Sequence, residues 1–411
     1  MQLDLDQQSQ IVESILLFEA ELKKLNLKAQ NLALGNYIRT HRCFLYNQHG
    51  RQVASGAGKG FGHQSSASGS YEALERYFSQ IDFLSDEIYY FRIQDIPNIQ
   101  LLEREKVIQL LLDYAYDEMI PCRKYTGVND GSVIYYPLFL SLPSYVLTPL
   151  ADDTFDYRRI SRYSTRGGTA IGSSLDQALT HAISELLERD ALSMFLLQTF
   201  IANTEQPIRL INKSTLPTQL QHLVAHLERT HRDELQLIDI TSDFRLPAVA
   251  ARFSSQAGPV TPLGTAAATS PAAAIEQAVL EVIQQLHLQG IQSKARDQRI
   301  LDQLTNLGRY QQCASFDLRP HIQSGKIVNV DYSQLPSPAT PPDASHQAAS
   351  LCDLVVANQH QVYYATNYVA ESGITCLHAL IPGIERFQLV RSGHAVLPSD
   401  RGILHLNAID P

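Results

Sequence analysis

The segment YEALERYF, Tyr71 to Phe78, is echoed about 110 positions later by SELLERDA, Ser184 to Ala191. Each sets Glu, two residues, Glu and then Arg inside an otherwise apolar, helix-forming stretch. In a helix, positions three apart lie on neighbouring turns of one face, so Glu72 and Glu75 project together, as do Glu185 and Glu188. Taken singly, such a triplet is an ordinary solvated helix face. The i,i+4 pairs Glu72 with Arg76 and Glu185 with Arg189 would stabilise a helix by only roughly 0.2 to 0.5 kcal/mol each. A solvent face has little need of the same pattern twice after a similar glycine-containing turn. Four clustered carboxylates repel one another unless cations lie between them, and magnesium is such a cation: hard, oxygen-seeking, and bound by a few carboxylates together with substrate phosphates. Arg76 and Arg189 could then meet phosphate oxygens in a bidentate manner. The pattern points to ATP.

The rest of the chain alternates between helical and strand-like patterns. Ile11 to Leu25 has apolar residues at helical spacing, and Cys43 to Tyr46 alternates like a strand. The cluster GAGKGFG, Gly56 to Gly62, reads as a loop or turn before the first Glu helix. RGGTAIGSS leads into the second, where Ser174 and Gln177 have capping-box spacing. A third helix should open with Ser270 as cap and Pro271 in its first turn, running through AAAIEQAVLEVIQQLH. Between the second and third, LQLIDIT and LPAVAARF read as strands. QLPSPATPPDAS, Gln334 to Ser345, reads as an exposed loop. The class is α/β or α+β; EALER, ELLER and, more loosely, VLEVIQ each follow a glycine-containing turn (GKGFG, GGTAIG, PLGTAAA), an echo that a duplicated strand-turn-helix unit would produce.

Composition narrows the function further. With 44% hydrophobic and 18% charged residues, the 411-residue chain is globular in type, and a formal charge of -9 without a dense basic run argues against a nucleic-acid partner. No span of about 18 apolar residues occurs, and MQLDLDQQSQ has neither a basic leader nor an apolar signal core, so a soluble, cytoplasmic protein with no membrane partner is the simplest expectation. Five scattered cysteines with no CxxC pair disfavour structural zinc and a disulfide framework. Standard nucleotide motifs fail: Gly58-Lys59-Gly60 lacks the Ser or Thr that a Walker loop needs, and GAGKGFG does not satisfy GxGxxG in register. HExxH and GxSxG are also missing.

The ordered blocks GKG, SSASGSYEALERY, GTAIGSSLDQALTHAISELLERDA, AIEQAVLEVIQQ and ALIPGIERF resemble the YcaO-domain family, over roughly Ile11 to Arg401. The resemblance implies a YcaO fold spanning residues 1–411 as a single domain, with 1–55 leading into it and 402–411 as a tail. It also implies ATP and Mg2+ as cofactors and activation of peptide amides by phosphorylation of the amide oxygen. Matched by position, Glu72, Glu75, Glu185 and Glu188 are the metal ligands. Ser14, Ser68, Arg76, Arg189 and Glu281 are nucleotide contacts. Three positions depart from the pattern: Ser173 stands where Asn is frequent, Gln177 where Glu is usual, and Gln277 where a basic residue is usual. Gln177 and Gln277 are kept as candidate nucleotide contacts, Gln177 with a capping role beside it.

The implied reaction is cyclodehydration of Cys, Ser or Thr in a ribosomally made precursor peptide to thiazoline or oxazoline, typical of azole-forming, microcin-type bacteriocin biosynthesis. No protein nucleophile is required for it. The terminal NAIDP is at most a reduced form of the proline-rich tail of azoline-forming members. Two rival readings are thioamide formation with a TfuA-like partner and a non-catalytic ATP-binding scaffold. The partners implied are a separate ThiF-like leader-binding protein, the precursor peptide and, in the same complex, a flavin-dependent azoline dehydrogenase; family members often pair, which leaves a homodimer open.

Overall fold

In the computed structural model, residues 5–84, 88–202, 206–255, 258–289, 293–338 and 343–409 are described. Strands β1 (Lys28–Leu34), β2 (Arg39–Tyr46) and β3 (Gln52–Gly60) form an antiparallel sheet in that order. The loop expected over Gly56 to Gly62 is thereby corrected: Gly56 to Gly60 continue β3, and only Phe61 and Gly62 separate it from the helix His63–Phe78. The physical reason lies in the alternation. Gly56, Gly58 and Gly60 share the buried face of the strand, and the helix packs against β3. A Cβ on Gly56 would drive into the backbone nitrogen of Ala73, and one on Gly58 into that of Gly69. Glycine serves here for close approach rather than for a turn.

A six-stranded sheet runs β4 (Ile88–Arg92), β5 (Met119–Gly127), β13 (Tyr363–Val369), β14 (Thr375–Leu380) and β7 (Thr169–Gly172), with β6 (Val133–Pro137) also paired to β5. A five-stranded sheet runs β11 (Gly264–Ala267), β10 (Ala248–Phe253), β9 (Leu235–Asp239), β8 (Ile208–Ile211) and β12 (Ile327–Val330). The segments LQLIDIT and LPAVAARF thus supply β9 and β10. The expected loop Gln334 to Ser345 lies partly outside the described residues, and Ala344 already begins a helix, Ala344–Ala357. Asp410 and Pro411 of the NAIDP terminus also lie outside them.

Three strand-helix units organise the centre: β3 with His63–Phe78, β7 with Leu175–Leu196, and β11 with Pro271–Leu288. The second helix is capped by Ser174 Oγ, which accepts from Gln177 N–H, and the third by Ser270 Oγ, which accepts from Ala273 N–H. Each helix packs on its own strand and also touches the strand of the next unit. The first reaches β7, the second reaches β11, and the third closes the ring on β3. The echo in the sequence is therefore a threefold repeat in space.

The second helix is the most enclosed, with Ala178, Ala182, Ile183, Leu187 and Asp190 buried along it. The helix Leu5–Lys24 packs on the helix His63–Phe78, where Phe18 and Leu22 share a core with Leu74 and Phe78. All five cysteines are buried and free. No described helix is long and apolar enough to cross a membrane.

Candidate nucleotide and magnesium site

The space between the three helices is a cavity of about 620 Å³ lined by Glu72, Glu75, Arg76, Glu185, Glu188, Arg189 and Glu281. Two segments distant in sequence converge there because each helix leans on the strand of the next unit. Backbone amides hold the first glutamate of each pair: Ala57 N–H donates to Glu72 Oε2 at 3.2 Å, and Gly168 N–H to Glu185 Oε2 at 3.1 Å. The second position reaches onward. Thr265 Oγ1, on β11, donates to Glu188 Oε1 at 2.5 Å. In the third unit Gln284 makes the corresponding contact, its amide donating to the Ala57 carbonyl on β3. The arginines fold back along their own helices, Arg76 to Glu72 at 3.1 Å and Arg189 to Glu185 at 3.4 Å. These are the i,i+4 pairs of an ordinary helix face, placed inside a cavity instead of on the outer surface.

Burial sets the electrostatics. It holds the Glu75 carboxyl well above the usual range; Arg76 opposes the shift, and Glu185 and Glu72 add to it. Burial also pushes Glu188 up to about 7, with Arg189 opposing and Glu281 and Glu185 reinforcing. Burial works against charge on Arg189, but Glu188, Glu185 and Glu281 outweigh it and raise the guanidinium pKa. Burial thus makes both carboxyl groups harder to ionise than usual, and a cation placed among them would favour their charged form.

Among the described residues, no three His, Cys, Asp or Glu side chains are grouped to hold an ion by themselves. Magnesium does not require that, because it takes one or two carboxylates and completes its octahedron with phosphate oxygens and water. The donor set fits this use: glutamate oxygens divided between two helices, beside two arginines. Glu72 and Glu75 would serve from one side, Glu185 and Glu188 from the other.

Ser14, Ser68 and Gln177 line the same cavity. Gln177 also serves the helix start. Its backbone N–H donates to Ser174 Oγ at 3.2 Å, while its side-chain oxygen accepts from Ser173 N–H at 2.7 Å, one residue before the expected cap partner. Glu281 pairs with Lys59 Nζ at 2.8 Å. Gln277 is exposed and is not among the residues lining the cavity.

Lys59 and His181 are among the lining residues that escaped the sequence reading. Lys59 was legible in principle, since strand alternation puts it on the face opposite Gly58 and Gly60. His181 carries no motif, only its place one turn before Glu185.

A mixed α/β fold in which three strand-helix units enclose an acidic, arginine-bearing cavity defines a nucleotide- and magnesium-binding protein without a Walker loop. The chain belongs to the YcaO cyclodehydratase family, whose model, described as ATP- and Mg2+-binding, matches residues 57–385. Its cofactors are ATP and Mg2+. Among solved structures, YcaO from Methanopyrus kandleri bound with AMPPCP and Mg2+ is 17% identical, with a TM-score of 0.65 and 94% of each chain covered. A heterocyclase in complex with substrate and cofactor is 16% identical with a TM-score of 0.65, covering 92% of this chain and 53% of the other, so the chain spans about half the length of that relative. The E. coli microcin synthetase McbBCD complex gives 14% identity, a TM-score of 0.55 and 88% coverage of each chain. These likenesses show the fold. No curated protein matches the sequence.

Proposed function

We propose that this protein activates backbone amides of a ribosomally made precursor peptide, using ATP and magnesium, and cyclodehydrates its Cys, Ser or Thr residues to thiazolines or oxazolines. The observation that carries this reading is the convergence of Glu72, Glu75, Glu185 and Glu188 with Arg76 and Arg189 on one cavity. Bound magnesium-ATP supplies the phosphoryl group that turns an amide oxygen into a good leaving group. The chain positions and stabilises. Its four glutamates hold the metal, Arg189 and Arg76 face the phosphate charge, and Ser14, Ser68, Gln177 and Glu281 line the remainder of the nucleotide's place. The attacking group is the substrate's own side chain, so charge and orientation supply the acceleration.

Support for a peptide substrate and for partner proteins comes from the heterocyclase holding substrate and from the McbBCD complex with pro-MccB17 bound. For this chain the partner is a ThiF-like leader-binding protein, with a flavin-dependent azoline dehydrogenase acting on the product. The test combines purified protein, magnesium-ATP, that partner and the precursor. Loss of one water per modified site with release of phosphate is the expected result. Exchange of oxygen for sulfur would identify a thioamide-forming enzyme instead, and absence of peptide-dependent ATP consumption would identify a scaffold.

A further inference from the structure

A second chamber of about 580 Å³ adjoins the nucleotide cavity, and Arg76, Arg189 and Gln285 line both. These three residues occupy one position of the threefold repeat. Glu188 and Gln284 each bond to the next unit's strand, so Arg189 and Gln285, their immediate successors, correspond; Arg76 follows Glu75 in the same way. Two units therefore present a guanidinium at the junction of the chambers, and the third presents a neutral carboxamide.

We propose that Gln285 binds the peptide bond that is to be activated, and that the second chamber receives the acceptor segment of the substrate. The inference rests on the amide-activation reading above and names the residue and the space that serve it. A backbone amide is uncharged and offers one N–H and one carbonyl oxygen. A carboxamide can both donate to and accept from it, whereas arginine only donates and an ionised glutamate only accepts. Among the described residues the Gln285 carboxamide makes no hydrogen bond, so both of its ends are available. Arg76 and Arg189 line the same junction, with Glu75, Glu185 and Glu281, so an amide held there has two guanidinium groups at hand to favour negative charge on its oxygen. Beyond the junction Leu192, Val260, Leu263 and Ile300 offer apolar contact to flanking side chains, beside Arg166, Arg296, Asp297 and Arg391, which can meet polar ones.

The test uses saturation-transfer NMR with acetyl-Gly-Cys-Gly-amide as the probe, on the full chain with magnesium and AMPPCP present. Wild type should transfer saturation to the peptide. Gln285→Leu should reduce that transfer about fivefold, the effect of losing roughly one net hydrogen bond. The rise in melting temperature caused by AMPPCP with magnesium should persist in the variant, and Gln285→Asn should keep part of the peptide signal. Equal transfer in wild type and Gln285→Leu would overturn the assignment, as would no transfer in wild type. Loss of the nucleotide-induced melting shift in Gln285→Leu would also overturn it, because the residue would then be a nucleotide contact. The functional reading fails differently: a wild type that binds the probe but consumes no ATP with partner and precursor refutes amide activation and leaves the binding site in place.

Discussion

Arg401 clamps both oxygens of Asp190, Nε to Oδ1 at 2.8 Å and Nη2 to Oδ2 at 2.9 Å, and so ties the helix Asp400–Ile409 to the residue that follows Arg189. Asp190 is fully buried and also accepts from Glu385 N–H at 2.9 Å. Arg401→Ala leaves that carboxylate without its cation in the interior, which should cost about 3 to 5 kcal/mol. Urea denaturation measures the loss. The double variant Arg401→Met with Asp190→Asn should recover much of it, because it removes the stranded charge.

Glu188→Gln should abolish nucleotide turnover, by about a hundredfold or more, through removal of one metal-facing carboxylate. The fold should persist, since the carboxamide oxygen can still accept from Thr265 Oγ1. Thermal melting and phosphate release, measured together, check both halves. Near-normal turnover would count heavily against the site.

Stability and metal binding should respond to pH in opposite directions. Below about 4.5 Glu188 is protonated in folded and unfolded chains alike. From there up to about 7 the unfolded chain gives up the proton while the folded apoprotein keeps it, so stability falls as pH rises. Glu75, also held above its usual range by burial, acts in the same sense. The apoprotein's melting temperature should therefore drop more steeply between pH 5 and pH 8 than that of Glu188→Gln. Magnesium with AMPPCP should raise it more at pH 8 than at pH 6, because ligation needs the carboxylates ionised. A larger gain at pH 6 would contradict the assigned ligands.

Gly58→Ala should destabilise the chain by about 3 kcal/mol or more, because the added methyl meets the backbone of Gly69 and Ser65 and neither can move without breaking the strand-helix contact. Denaturant titration gives the value. Gly50→Ala, where a Cβ meets nothing within 4 Å, serves as the control, with a cost confined to its positive φ of 72°.

The residues that line the cavity could be picked out in part from the sequence, because the four glutamates and two arginines come in two short helical segments whose spacing is local. The caps Ser174 and Ser270 were legible for the same reason, since each acts within one turn. The glycine run misled because glycine signals both turns and tight packing, and only the period of two in Gly56, Gly58 and Gly60 separates the cases. The grouping of strands into three sheets was beyond reach, because pairs such as β14 with β7 join residues some 200 positions apart and depend on the whole chain. The third copy was legible only as the looser echo VLEVIQ: without an acid and a base at Gln284 and Gln285 it does not match the Glu-x-x-Glu-Arg pattern, and no site role for these two residues could be read from it.

The pairing of Thr375–Cys376–Leu377–His378 with Gly172–Ile171–Ala170–Thr169 sets an order of assembly. The second acidic helix springs from a strand whose sheet neighbour is made some 200 residues later, so that strand lacks its β14 partner until residues 375–378 have been synthesised. A chain that stops before that strand leaves the β7 edge beside the cavity unpaired, although every residue lining the cavity precedes it.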